Sequence, residues 1–242
     1  MGTLLRIAYI RLGLLLCGLG CTVAVLYASK TPTSFPPDSL LACAYFSVVN
    51  IICLLLVRRY VRTTGKSWAH FIGFQRNRIS KDCAWAVLWF FVLYIPFFLC
   101  IMLIPLALYG PTGFPYLETA FVPSHPTILP KPVMIILAFT AALVFPLFNA
   151  PAEEVIYRGL ILENTAQPTF IVLTIQAALF AINHLLFAPT MLAAGIYAIA
   201  FFLWGFGAGI IVKKQQRLMP MIISHFLVNA IMALPALTII FI

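Results

Sequence analysis

Apolar residues run along this chain in long blocks with the charged residues gathered between them. The uncharged blocks cover 12–29, 39–57, 83–117, 132–152, 164–212 and 218–242. A membrane-crossing helix takes about 20 mostly apolar residues, and within hydrocarbon every backbone N–H and C=O must be satisfied inside the segment. Each block therefore predicts one helix or more. The block from Asn164 to Val212 holds two, broken near Ala188-Pro189, since proline donates no hydrogen bond and restricts the residue before it. The pattern predicts helices near 7–28, 39–57, 83–108, 133–163, 170–187, 191–212 and 219–241. That is an all-α, polytopic transmembrane bundle of about seven spans in one domain over 1–242. The long pieces outside the membrane are 58–82 and 109–132, and Pro111, Pro115, Pro123, Pro126 and Pro130 make the second an irregular outer loop.

Composition agrees: 63% of residues are hydrophobic and 9% charged, with a mean hydropathy of +1.07. A soluble domain carries about a quarter charged residues, so that class is excluded. The net charge of +9 is explained by topology. Arg58, Arg59, Arg62, Lys66, Arg76, Arg78 and Lys81 follow helix 2, and Lys213, Lys214 and Arg217 separate helices 6 and 7. The positive-inside rule makes those segments cytoplasmic, with Arg6 and Arg11 on the same side and Lys30 and Lys131 outside. The N-terminus is expected in the cytoplasm. Anionic headgroups suit this distribution, and no nucleic-acid partner is expected.

The first helix is long enough to span, and neither Gly-Cys-Thr-Val nor Ala-Ser-Lys offers a small-residue cleavage site, so it is read as a span rather than a signal peptide. Cys17, Cys21, Cys43, Cys53, Cys83 and Cys100 lie in or beside apolar runs without C-x-x-C spacing and read as small hydrophobes. The C-terminal Thr-Ile-Ile-Phe-Ile is no prenylation box.

Against this background the segment N-A-P-A-E-E-V-I-Y-R, Asn149 to Arg158, stands apart. Each ionised residue at the centre of a membrane helix costs roughly 2.5–3.5 kcal/mol, so Glu153, Glu154 and Arg158 mark a functional site. Glu154 and Arg158 are four residues apart and share a face, which makes Arg158 a support for Glu154 and leaves Glu153 as the reactive carboxylate. Pro146 and Pro151 predict a break at Asn149-Ala150, with the glutamates near a new helix N-terminus whose dipole favours their charge. His184 ends the stretch Phe180-Ala-Ile-Asn-His184, and His225 and Asn229 share one face of the last helix. Facing lipid each would be unsatisfied, so they are expected to converge inside the bundle. Taken singly, each also has a structural reading: an ion pair, a core histidine, an interhelical clasp. His70 and His125 fall in the two loops and read as solvated.

A glutamate and a histidine around a water are the apparatus of general-base hydrolysis, and His225 with Asn229 can donate to the oxyanion of an attacked peptide carbonyl. Neither H-E-x-x-H nor G-x-S-x-G occurs, and Asp38 and Asp82 sit at span ends, unsuited to an aspartyl dyad.

In order along the chain, E-E-x-x-x-R at Glu153, Glu154 and Arg158, F-x-x-x-H at Phe180 and His184, and H-x-x-x-N at His225 and Asn229 resemble the three motifs of the CPBP family. That family holds the type II CAAX prenyl endopeptidases and related bacterial intramembrane proteases, also called Abi proteins. The resemblance covers roughly 145–235. It implies an intramembrane endopeptidase open toward the cytosol, in which Glu153 and His184 activate water, His225 and Asn229 stabilise the oxyanion, and Glu154 and Arg158 support. Two histidines and a glutamate can also ligate a divalent metal such as zinc; a metal-free glutamate-histidine base explains the same residues, and the site is read as metalloprotease-like with no ion assigned. The substrate implied is a hydrophobic peptide or membrane protein, lipidated or not: a CAAX protein or a bacteriocin. Compact length suggests a bacterial plasma-membrane member.

Two other classes use the same residues: a transporter or proton relay, which needs a polar path to both faces, and a non-catalytic immunity protein that binds a peptide in the same cavity. Depth poses a test. At about 1.5 Å per residue, His225 lies about 9 Å from its cytosolic helix end, Glu153 about 15 Å and His184 about 20 Å. They meet only if helix 4 projects past the membrane surface, and a His184–Glu153 separation above about 10 Å would mean two sites.

Overall fold

A computed structural model describes residues 2–33, 35–122, 127–163 and 169–241. Among these residues it has no strands, and seven helices are long and apolar enough to cross a membrane. The first span is Gly2–Ala28, the second Ser39–Thr63 and the third Ile79–Tyr109. The fourth runs over 131–163, with π-helical turns at Thr140–Val144 and Glu154–Leu160 inside it. The fifth is Thr169–His184, closed by a 3-10 turn at Leu185–Phe187, and the sixth is Met191–Gln215. The seventh, Met219–Ala233, continues as a 3-10 segment over Leu234–Phe241. This is an integral membrane protein.

The spans occupy the apolar blocks, but several run on past them into charge. The second carries Arg58, Arg59 and Arg62 on helical turns rather than in a loop. Hydropathy ends where the hydrocarbon ends, whereas a helix ladder persists into the headgroup layer. The fourth is about 50 Å long at 1.5 Å per residue, well beyond a core of about 30 Å. The connections also hold short helices that the apolar pattern did not predict, Trp68–Ile72 and Gly113–Ala120. Thr190 starts the sixth span by accepting from the Ala193 N–H, just past the predicted break at Pro189.

The sixth span packs on the fifth and third, the seventh on the third and fourth, the second on the fourth and first. With lipid as apolar as leucine, close contact and hydrogen bonds hold helices together rather than hydrophobic burial. The fifth and sixth show both. A Cβ on Gly209 would lie 2.7 Å from Gln176 Nε2, and that amide donates to the Gly205 carbonyl at 2.8 Å. On the basic face Arg217 grips both oxygens of Asp82, at 2.5 and 2.8 Å, and donates to the Gly73 carbonyl, which ties the 64–78 connection to the third span and to the turn between the sixth and seventh.

Candidate functional site

The fourth span delivers both glutamates without the break expected at Asn149-Ala150. The helix is continuous through Pro151, and the glutamates stand in its interior, not at a helix start. A π turn lies on either side of the 145–153 segment, and such turns shift the carbonyl register around prolines that cannot donate. The carboxylates are held by cations rather than by a dipole. Arg158 Nη1 meets Glu154 Oε1 at 3.2 Å, the pair that the spacing predicts, and its guanidinium lies 4.2 Å from the Phe180 ring centroid and 5.1 Å from that of Trp204.

The sequence-predicted residues come together. Glu153 Oε2 lies 3.8 Å from His184 Nε2 and 3.5 Å from His225 Nε2, so the depth test gives one site. His184 Nδ1 sits 2.8 Å from the Phe180 carbonyl. A carbonyl only accepts, so Nδ1 carries a proton, and Nε2 is the nitrogen turned toward Glu153. The ring is fixed by stacking on Phe201, centroids 3.7 Å apart. His225 Nδ1 lies 2.8 Å from Glu154 Oε1, which leaves its Nε2 facing Glu153 as well. Asn229, one helical turn on, lines the same cavity, and its buried Nδ2 meets no acceptor among the described residues. His70 is exposed in the basic connection, as expected; His125 lies outside the described residues.

Arg11 is the residue that sequence reasoning misplaced. Counted above among the cytoplasmic topogenic bases, it is fully buried, and its Nη2 meets Glu153 Oε1 at 2.7 Å. The same guanidinium donates to Asn50 Oδ1 at 3.0 Å, to Asn183 Oδ1 at 2.9 Å and to the Tyr157 hydroxyl at 3.3 Å. Asn149 completes the set, accepting from Asn50 Nδ2 at 2.8 Å and donating to Glu153 Oε2 at 3.2 Å. A signal was present: Ile7, Ala8, Tyr9 and Ile10 precede Arg11, so the base stands within apolar sequence rather than before it. Asn50, within an apolar run of the second span, was the matching clue.

A cavity of about 600 Å³ rises from this cluster. His184, His225, Asn149 and Asn229 form its polar end; Phe97, Phe145, Phe187, Tyr197, Phe201 and Trp204 give it aromatic walls. It extends along the parts of the spans remote from the basic connections, past Ser39 and Leu40 at the start of the second span and Pro235 and Ile239 at the end of the chain. Toward the basic face the chain is closely packed. Val155, Ile156, Tyr157, Leu160, Met221 and Leu218 are buried, and a Cβ on Gly159 would come 2.7 Å from the Phe71 ring. Among the described residues no group of three His, Cys, Asp or Glu side chains is arranged to hold a metal ion. Glu153 already spends one oxygen and its charge on Arg11, so this donor set does not fit a dication.

In comparison with known proteins, residues 134–231 match the family described as Type II CAAX prenyl endopeptidase Rce1-like. No curated protein and no solved structure matches the chain. The matched stretch holds every motif residue from Glu153 to Asn229, while Arg11 and Asn50 lie outside it. With the three motifs in order on a seven-span membrane bundle, the match over 134–231 supports the CPBP, or CAAX protease, family.

Proposed function

We propose that the protein hydrolyses a peptide bond of a hydrophobic peptide or membrane protein, lipidated or not, with water activated by Glu153 and His184. One observation carries the reading: Glu153 Oε2 and two histidine Nε2 atoms face one another within 3.8 Å at the polar end of an apolar cavity. Glu153 takes a proton from water as its oxygen attacks the peptide carbonyl, and His184 Nε2 orients that water. The tetrahedral oxyanion forms beside Asn229 Nδ2 and His225. His225 Nδ1 donates to Glu154, which holds the ring with Nε2 toward the oxyanion. Collapse of the intermediate breaks the C–N bond, and the proton held by Glu153 passes to the leaving amine. The residues present do not assemble a metal site, and no step runs through an ion.

Access has a direction. With the basic connections cytoplasmic, the cavity opens to the far half of the bilayer, and the packed layer under Glu153 favours that side over the cytosolic mouth that the family resemblance implies. The same packed layer counts against a transporter, which needs a polar path to both faces.

The test is cleavage by the purified protein in proteoliposomes of a fluorogenic farnesylated CAAX peptide and of a bacteriocin-like hydrophobic peptide, with and without chelator. Wild-type cleavage that survives chelation and is lost in Glu153→Gln and His184→Ala is the expected result. Cleavage retained by both variants would sink the site assignment. Chelator loss restored by zinc would replace the metal-free mechanism. Peptide binding without cleavage would return the immunity-type reading.

A further inference from the structure

Arg11 does more than neutralise a buried carboxylate. Its nitrogens reach four other polar groups besides Glu153, Asn50 of the second span, Asn149 and Tyr157 of the fourth and Asn183 of the fifth. The partners divide the work. Nη2 holds Glu153 Oε1 at 2.7 Å, which turns Oε2 toward the histidines. Nη1 holds Asn183 Oδ1 at 2.9 Å, and Asn183, which also donates to the Leu179 carbonyl at 2.6 Å, is the neighbour of His184. One guanidinium thus sets both the glutamate and the helix end that carries its histidine. Arg158, the arginine within the motif, is less fully engaged: its Nε is buried without a partner.

We infer that Arg11, in the first span and outside the family-matched segment, is a positioning residue that fixes Glu153 Oε2 against His184 Nε2. The inference rests on the reading of Glu153 as general base. A planar fork is required for this role: an ammonium at position 11 can reach Glu153 but cannot hold Asn50 and Asn183 at the same time. Loss of the fork lets the base and its histidine drift, and misplacement by about 1 Å reduces turnover on the order of 10²-fold.

The experiment uses the full chain in proteoliposomes with the farnesylated peptide. Arg11→Lys, which keeps the charge, is expected to retain its thermal midpoint within a few degrees, to keep KM within about twofold and to lose about tenfold or more in kcat. A merely structural arginine would move the midpoint and leave kcat of the folded fraction alone. A second measurement needs no substrate. Arg11→Met strands Glu153 without its cation, so adding Glu153→Gln to it is expected to raise the thermal midpoint rather than lower it further. Wild-type kcat in a folded Arg11→Lys, with Glu153→Gln inactive, overturns this inference alone. Wild-type turnover by Glu153→Gln overturns the general-base reading and this inference with it. If the wild type cleaves no peptide, the stability cycle decides, and additive losses overturn the coupling.

Discussion

Glu154→Gln separates what the second glutamate contributes to stability from what it contributes to chemistry. The change removes one charge of a fully buried pair whose partner, Arg158, is 1% exposed. Breaking such a pair on one side costs about 3–5 kcal/mol, because the remaining charge is stranded. Here the cation keeps the faces of Phe180 and Trp204 and a 3.4 Å contact to the Gly205 carbonyl. Ring faces hold a desolvated cation by up to about 2 kcal/mol, so a net loss of about 2–4 kcal/mol is expected. In a chain of this size that corresponds to a fall in the midpoint on the order of 5–15 °C. The variant also loses the carboxylate that holds His225 Nδ1 and so aims Nε2 at the site. Removing one oxyanion donor lowers kcat by about 10²–10³-fold. Buried Cys43 and Cys53 supply the stability assay, since unfolding on heating opens them to a thiol dye. Adding Arg158→Met should restore the midpoint, because both charges are then gone, and should leave kcat low. A single variant with wild-type midpoint and turnover, or a double variant that regains activity, would refute the reasoning.

Two further outcomes follow from packing and topology. Gly209→Leu should force the fifth and sixth spans apart at Gln176 and Leu173, where even a Cβ comes within 2.7 Å; a loss of about 1–3 kcal/mol is expected, read by the same thiol assay. In sealed cells carrying a cysteine-free parent, a cysteine at Pro235 should react with an impermeant maleimide and one at Lys213 should react only after permeabilisation; the reverse pattern would put the cavity mouth in the cytosol.

The spans were legible because bilayer thickness and backbone hydrogen bonding leave few choices for a block of apolar residues. Their ends were less so: Arg58 to Thr63 stays helical where the apolar signal has already stopped. The i,i+4 pairing of Glu154 with Arg158 could be read from spacing because it is local. Whether Glu153 and His184 would meet could not, since helix rise alone placed them at different depths, and only the long fourth span reconciles them. Pro151 misled for a related reason. A proline predicts a break when judged against an α ladder, whereas the fourth span has π turns on both sides of that stretch. Arg11 was hidden by its place near the chain start, where a base ordinarily sets orientation. Its partners lie in three other spans, and no local spacing connects them.

The pairing of Arg11 with Glu153 spans 142 residues of sequence, and this bears on how the chain enters the membrane. At about 5–20 residues per second, roughly 10–30 s of synthesis separate the first span from the arrival of its counter-charge. Through that interval the first helix carries an arginine whose carboxylate partner has not yet been made, with Asn50 as its earliest polar partner. A long flexible stem near the helix start lets the guanidinium reach back to the headgroups and wait there. The Arg11–Glu153 pair therefore forms only once the fourth span is in place, and the histidines that face it arrive later still, on the fifth and seventh spans.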